Sequence, residues 1–146
     1  MPTKRTRHKN EVTVQYAVAR AGVPSPLALR RWARAASPSM NLTLRVVDRG
    51  AARGLNRRFR KRNTATNVLS FGYGGDGDIV LCHPVIAREA RAQGKSLRAH
   101  YAHLVVHGVL HLRGYSHERK KPAHEMEARE IRILRRLGFT DPYTIE

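Results

Sequence analysis

Apolar and polar residues change period several times along this chain, and each change marks an element. Val12-Thr13-Val14-Gln15-Tyr16 alternates with strand-forming side chains, as a half-buried strand does. Ser25-Pro26 then supplies an N-cap followed by proline at the first helical position. The segment through Ala36 turns Leu27, Leu29, Trp32 and Ala33 inward, which predicts a helix. Leu42 to Val47 reads as a second strand, and a short helix is expected from Gly50 to Phe59. Val68-Leu69-Ser70-Phe71 forms a third strand, Gly72 to Gly77 a glycine-rich loop, and Asp78 to Cys82 a fourth strand. Pro84 to Gln93 is helical and ends at Gly94. A longer helix follows Ser96 and runs to Arg113. Its Leu104, Val105, Val106, Val109, Leu110 and Leu112 leave little polar circumference, so it is buried. Pro122 opens the last helix and Gly138 stops it.

Strands come early and helices late, with no repeat and no long linker. That order predicts an α/β chain of α+β-like layout: one compact domain, a mixed four-stranded sheet packed with about five helices. The 146 residues, 41% of them hydrophobic, suffice for one real core. Residues 1–10 carry Lys4, Arg5, Arg7 and Lys9 with nothing to pack, and read as a flexible basic arm ahead of a single domain over 11–146. The start of the chain has no apolar stretch of a secretory signal, and no run approaches a membrane span. The one cysteine, Cys82, excludes an internal disulfide and is expected to be a buried, inert thiol. A cytoplasmic protein without a membrane partner is expected.

Charge narrows the partners. Lys and Arg number 28 against 11 Asp and Glu, a formal net of +17. Such an excess attracts polyanions, and nucleic acid is the first candidate because neutralising phosphates releases counterions.

The buried helix also carries chemistry. His107 and His111, four residues apart, lie one above the other on one face and can both aim an imidazole at one ion. Gly114 can end the helix in a left-handed conformation, and His117 returns as a third ligand. Three protein ligands with an open fourth position describe a catalytic zinc site, although nickel, copper or iron would also suit three imidazoles. The spacing equals the long zinc signature of the metzincins except that Gly108 stands where they have glutamate. The helix is therefore zincin-like, and the domain is expected to be a metallohydrolase. In peptidases that glutamate is the general base, so its absence argues against peptide hydrolysis. His100 and His103 extend the stripe. His103 reads either as a residue orienting a ligand or as a satisfied core histidine. His83 and His124, near helix starts, are expected to face solvent.

Six of the ten residues from Arg53 to Arg62 are basic. Most should form a solvated helix face, but an arginine at the mouth of a metal cleft can grip a phosphate with two hydrogen bonds. Arg57, Arg58 and Lys61, with the polar Asn67 and Ser70 of the next strand, are candidate nucleic-acid contacts.

His107-Gly108-x-Leu110-His111-Leu112-x-Gly114-Tyr115-x-His117 resembles the signature of the YbeY family of bacterial metal-dependent endoribonucleases. The resemblance extends through Leu55-Asn56-x-x-Phe59-Arg60, Thr66 to Phe71, Gly77 to Val80, Glu89-Ala90, His100-x-x-His103 and Leu137-Gly138-Phe139, covering roughly residues 42–143. It implies a zinc held by three histidines in a cleft, single-strand-specific RNA cleavage, and ribosomal RNA processing, notably at the 3′ end of the small-subunit RNA. It also implies a part in ribosome quality control, with ribosomal proteins or an assembly GTPase as partners. The family's invariant arginine falls on Arg60. Its usual aspartate before the third histidine is replaced by Ser116, a candidate neighbour of the metal ligands that can hydrogen-bond but cannot be a carboxylate. The attacking group is then either a metal-bound hydroxide or a hydroxyl of the substrate. Two rival functions are an RNA-binding ribosome-assembly factor with a mainly structural metal, and a metal-dependent peptidase.

Overall fold

The computed structural model describes residues 11–114 and 120–144. Within them the chain runs β1 (Val12–Tyr16), α1 (Pro26–Ala36), β2 (Leu42–Val47), α2 (Arg49–Arg60), β3 (Val68–Tyr73), β4 (Asp76–Cys82), α3 (His83–Ala92), α4 (Leu97–Leu112) and α5 (Lys120–Arg136). The four strands form one mixed sheet in the order β1-β2-β4-β3. β1, β2 and β4 are mutually parallel, and β3 closes the edge as an antiparallel partner of β4. The expected α/β architecture of four strands and five helices is the one observed. The basic arm of residues 1–10 lies outside the described residues.

Central parallel strands are covered on both faces, so they read as nearly continuous apolar runs rather than as alternation. Ile79 and Leu81 of β4 point into the main core with Leu42, Leu44 and Val46 of β2, beneath α1, α4 and α5. Val80 and Cys82 point the other way, into a smaller cluster with Val47, Ala52 and Val85 beneath α2 and the start of α3. Trp32 and Tyr101 are the largest fully buried side chains. Cys82 is buried, and burial pushes its thiol pKa up, as an inert core thiol requires. No helix among the described residues is long and apolar enough to cross a membrane.

Leu27 of α1 is exposed rather than turned inward, and two further local expectations need correction. Gly72 to Gly77 is not a loop: β3 and β4 run through it, pairing Gly72 with Gly77, and only Gly74 and Gly75 form the turn. Both have positive φ, 56° and 85°, which suits a two-residue hairpin turn. Gly77 is needed for packing, since a Cβ there would come within 2.5 Å of Leu112 Cδ1 at the end of α4. The second correction concerns His83. It is half-buried rather than solvent-facing, with Nδ1 2.7 Å from the Tyr101 hydroxyl, and burial lowers its pKa. His124 is exposed.

Candidate metal centre

α4 is capped by Ser96, whose side chain accepts from the Ala99 amide at 3.0 Å, and this fixes the register of everything that follows. His100, His103, His107 and His111 then fall along one side of the helix at three- and four-residue steps. Opposite them, α5 presents Glu130, which is fully buried. One carboxylate oxygen, Oε1, accepts from His107 Nδ1 at 2.8 Å. The other, Oε2, accepts from His103 Nε2 at 2.8 Å and from the Tyr143 hydroxyl at 2.6 Å. Burial alone would raise the Glu130 pKa, but the hydrogen bonds from His103, His107 and Tyr143 override it and hold the carboxyl at about 2. Burial and the adjacent carboxylate push the Tyr143 hydroxyl up, so it stays a donor.

An ionised carboxylate only accepts, so both ring nitrogens facing Glu130 carry hydrogens. His107 is thereby assigned as the Nδ1–H tautomer, with Nε2 the nitrogen that could ligate an ion. A carboxylate that fixes a histidine in this way is a common support for a metal ligand. His103, His107 and Glu130 also offer ligand atoms that all lie within 4.8 Å of one another, a spacing that can hold a cation. His103 Nε2 and His107 Nδ1 are engaged with the buried carboxylate, whereas His103 Nδ1 is buried without a hydrogen-bond partner. Glu130 thus anchors the His107 ring through Nδ1.

His107 and His111 line an open pocket of about 170 Å³ together with Arg60, Val68, Leu69 and Ser70. Arg60 reaches it from the last turn of α2. That helix is set by the Asp48 cap and by Lys61, which ends it in a left-handed conformation with φ 56°. Buried Asn56 ties the following loop back by donating to the Thr64 carbonyl at 2.9 Å. The Arg60 guanidinium donates to the Ser70 carbonyl at 2.6 Å and lies 4.9 Å from the centre of the Phe71 ring. Sequence reasoning placed Arg60, Ser70, His107 and His111 in one site, and the fold brings these four together. Arg57, Arg58 and Lys61 are exposed and do not line the pocket. Asn67 faces a second cavity beyond His107, where it donates to Glu89 at 3.0 Å. His117 and Ser116 lie outside the described residues.

Gly108 acquires a packing reason. A Cβ on it would lie 3.1 Å from Ser70 Oγ and 3.3 Å from Ile79 Cδ1, so α4 rests directly on β3 and β4. The position of the peptidases' glutamate is occupied here by the sheet. Glu130 and Tyr143 were missed from sequence. The available signal was Glu130's place in the apolar stripe Met126, Glu130, Ile133, Leu134, Leu137, where a carboxylate must have partners.

A family model described as "Endoribonuclease YbeY" matches residues 6–138. A Nitrosomonas europaea protein named endoribonuclease YbeY is 47% identical over 152 residues, covering 99% of this chain and 93% of its own. The protein of that name from Aromatoleum aromaticum is 49% identical over 140 residues, covering 90% and 91%. In three dimensions the chain is similar to a Thermotoga maritima protein solved in solution, with a TM-score of 0.57 and 20% identity over 91% of this chain and 99% of that one. At that identity the likeness speaks for the fold alone.

Proposed function

This chain belongs to the YbeY endoribonuclease family, and from that premise we propose that it is a metal-dependent endoribonuclease acting on single-stranded RNA. The observation that carries the reading is the pocket in which Arg60 stands across from His107 and His111. His107, His111 and His117 would hold one divalent ion, with zinc the expected one. When bound, such an ion supplies Lewis acidity at a phosphoryl oxygen and lowers the pKa of a coordinated water.

The chain's own residues do the rest. Glu130 holds the His107 ring by Nδ1 and so fixes the direction of Nε2. Arg60 carries a planar, permanently charged fork that can take two phosphate oxygens at once and neutralise charge developing in the transition state. Its present bond to the Ser70 carbonyl and its seat on Phe71 keep the fork over the pocket. The attacking oxygen comes from water or from the neighbouring ribose hydroxyl, and both are compatible with this arrangement. Exposed Arg57, Arg58 and Lys61 would track the RNA backbone. Ribosomal RNA of the small subunit, at its 3′ end, is the proposed substrate. Ribosomal proteins or an assembly GTPase are the proposed protein partners, and the cytoplasm is the proposed compartment.

The test is cleavage of single-stranded and structured RNA by purified full-length protein, with and without a chelator. Cleavage should need metal and should collapse in His111→Ala and Arg60→Ala. Equal activity in both variants would assign the cleavage to a contaminant. The net charge of +17 favours one other reading, an assembly factor that binds RNA without turnover. It predicts tight, salt-sensitive RNA binding that survives Arg60→Ala, with no cleavage under any metal.

A further inference from the structure

Adjoining the Arg60 pocket lies a second cavity, of about 380 Å³, whose lining includes Asn67, Glu89, Gln93, His103 and Tyr143. It shares Val68 and His107 with the smaller pocket, so the two are neighbours. Its volume falls in the range of about 300–1,000 Å³ typical of ligand sites. Its contents are unusual for this molecule. In a chain with only 11 acidic residues, the carboxylate of Glu89 sits in this cavity with about a third of its side chain accessible, 30%. Oε1 of Glu89 accepts from Asn67 Nδ2 at 3.0 Å and lies 2.9 Å from Nε2 of buried His100. Those contacts pin the group in place, and Oε2 takes part in neither. Tyr143 and His103 contribute aromatic surface to the same cavity, their rings 5.3 Å apart and nearly perpendicular.

We propose that this cavity is a nucleobase subsite in which Glu89 selects guanine beside the phosphate held at Arg60. The inference rests on the nuclease reading for the placement of that phosphate. A flat base can stack on an exposed tyrosine or histidine ring, the usual way that splayed-out single-stranded bases are held. The choice among bases follows from Oε2, an acceptor with two lone-pair sites and a negative charge. Guanine presents two adjacent donors on its Watson–Crick edge, N1–H and the N2 amine. Adenine and cytosine present one amine next to a ring-nitrogen acceptor, and uracil one N–H between two carbonyls. Each of those three sets an acceptor against the carboxylate, and guanine is the base that offers it a pair of donors.

Binding of the four ribonucleoside 3′-monophosphates to the full chain, measured by calorimetry or NMR titration, tests this. Guanosine monophosphate should bind about tenfold more tightly than uridine monophosphate, the discrimination of one good hydrogen-bonded base contact. Glu89→Gln should abolish that order, while Arg60→Ala should weaken all four alike and preserve it. Equal binding of all four by the wild type, or an order that survives Glu89→Gln, overturns the proposal. Should Glu89→Gln fail to fold, nuclear Overhauser contacts from the bound guanine to the Tyr143 ring in the wild type decide, and their absence is the negative result. Guanosine selectivity without RNA cleavage would keep the subsite and sink the nuclease reading. Cleavage with no base preference would do the reverse.

Discussion

The two walls of the candidate site are built on opposite plans. On the α4–α5 side, a fully buried carboxylate is locked by three hydrogen bonds to His103, His107 and Tyr143. On the α2–β3 side, Arg60 is exposed and is held by one carbonyl and the face of one ring. The histidine wall is anchored on the core through buried Glu130, although His111 itself is exposed, so the His107 ring is set before any ligand arrives. The arginine wall is a surface feature, where a long cationic side chain can exchange a carbonyl for a phosphate at little cost to folding. Stability and function should therefore separate between the walls.

The largest effect should come from Glu130→Ala, which leaves two imidazoles and a hydroxyl without their acceptor in the core. A loss of about 3–5 kcal/mol is expected, lowering Tm by about 10 °C or more in metal-free protein. Arg60→Ala should do the opposite: RNA cleavage falls by about 100-fold or more, while Tm in the same assay moves by no more than about 2 °C. If the arginine change unfolded the protein, or the glutamate change left its melting curve intact, the contrast between the walls would break down. Gly108→Ala sits between them, because the added Cβ presses on Ser70 Oγ and Ile79. Overpacking there, partly offset by better helix propensity, should cost about 1 kcal/mol in chemical denaturation.

The smallest effect concerns pH. Burial lowers the pKa of His83, and burial also lowers that of His100 against the opposing pull of Glu89. Below the ordinary imidazole value of 6.5 the unfolded chain takes up protons that these folded residues refuse. Their contribution to stability is thus complete above that pH and declines as pH falls through it. Tm should drop modestly between about pH 7.5 and pH 5.5. His83→Gln should flatten part of that slope without affecting cleavage.

Much of this was readable from the chain because the signals were local. Alternation, caps and glycine stops gave each element, and the four-residue step from His107 to His111 gave a shared face. The Arg53–Arg62 run announced a basic surface, although its composition could not say which arginine turns inward. That depends on where α2 ends against β3. Glu130 escaped because its partners lie 23 and 27 residues earlier, on another helix. A pattern read in single windows does not pair them. Gly72 to Gly77 misled for a related reason. Gly74 and Gly75 do make a turn, but Gly72 and Gly77 are there to let Leu112 of α4 approach the hairpin. Gly108 carried the same message in the middle of the motif: its missing side chain is first a matter of helix–sheet distance.

α4 places His100, Tyr101, Val105, Val106, Val109 and Leu110 in the interior along most of its length. A helix enclosed in that way opens only when the whole domain does, so its amide protons should be among the last to exchange with solvent. An element of that kind cannot act as a lid. Among the described residues, motion during turnover is to be sought in the exposed guanidinium and the loop behind it, while the His107 ring, held by Glu130, serves as the fixed reference.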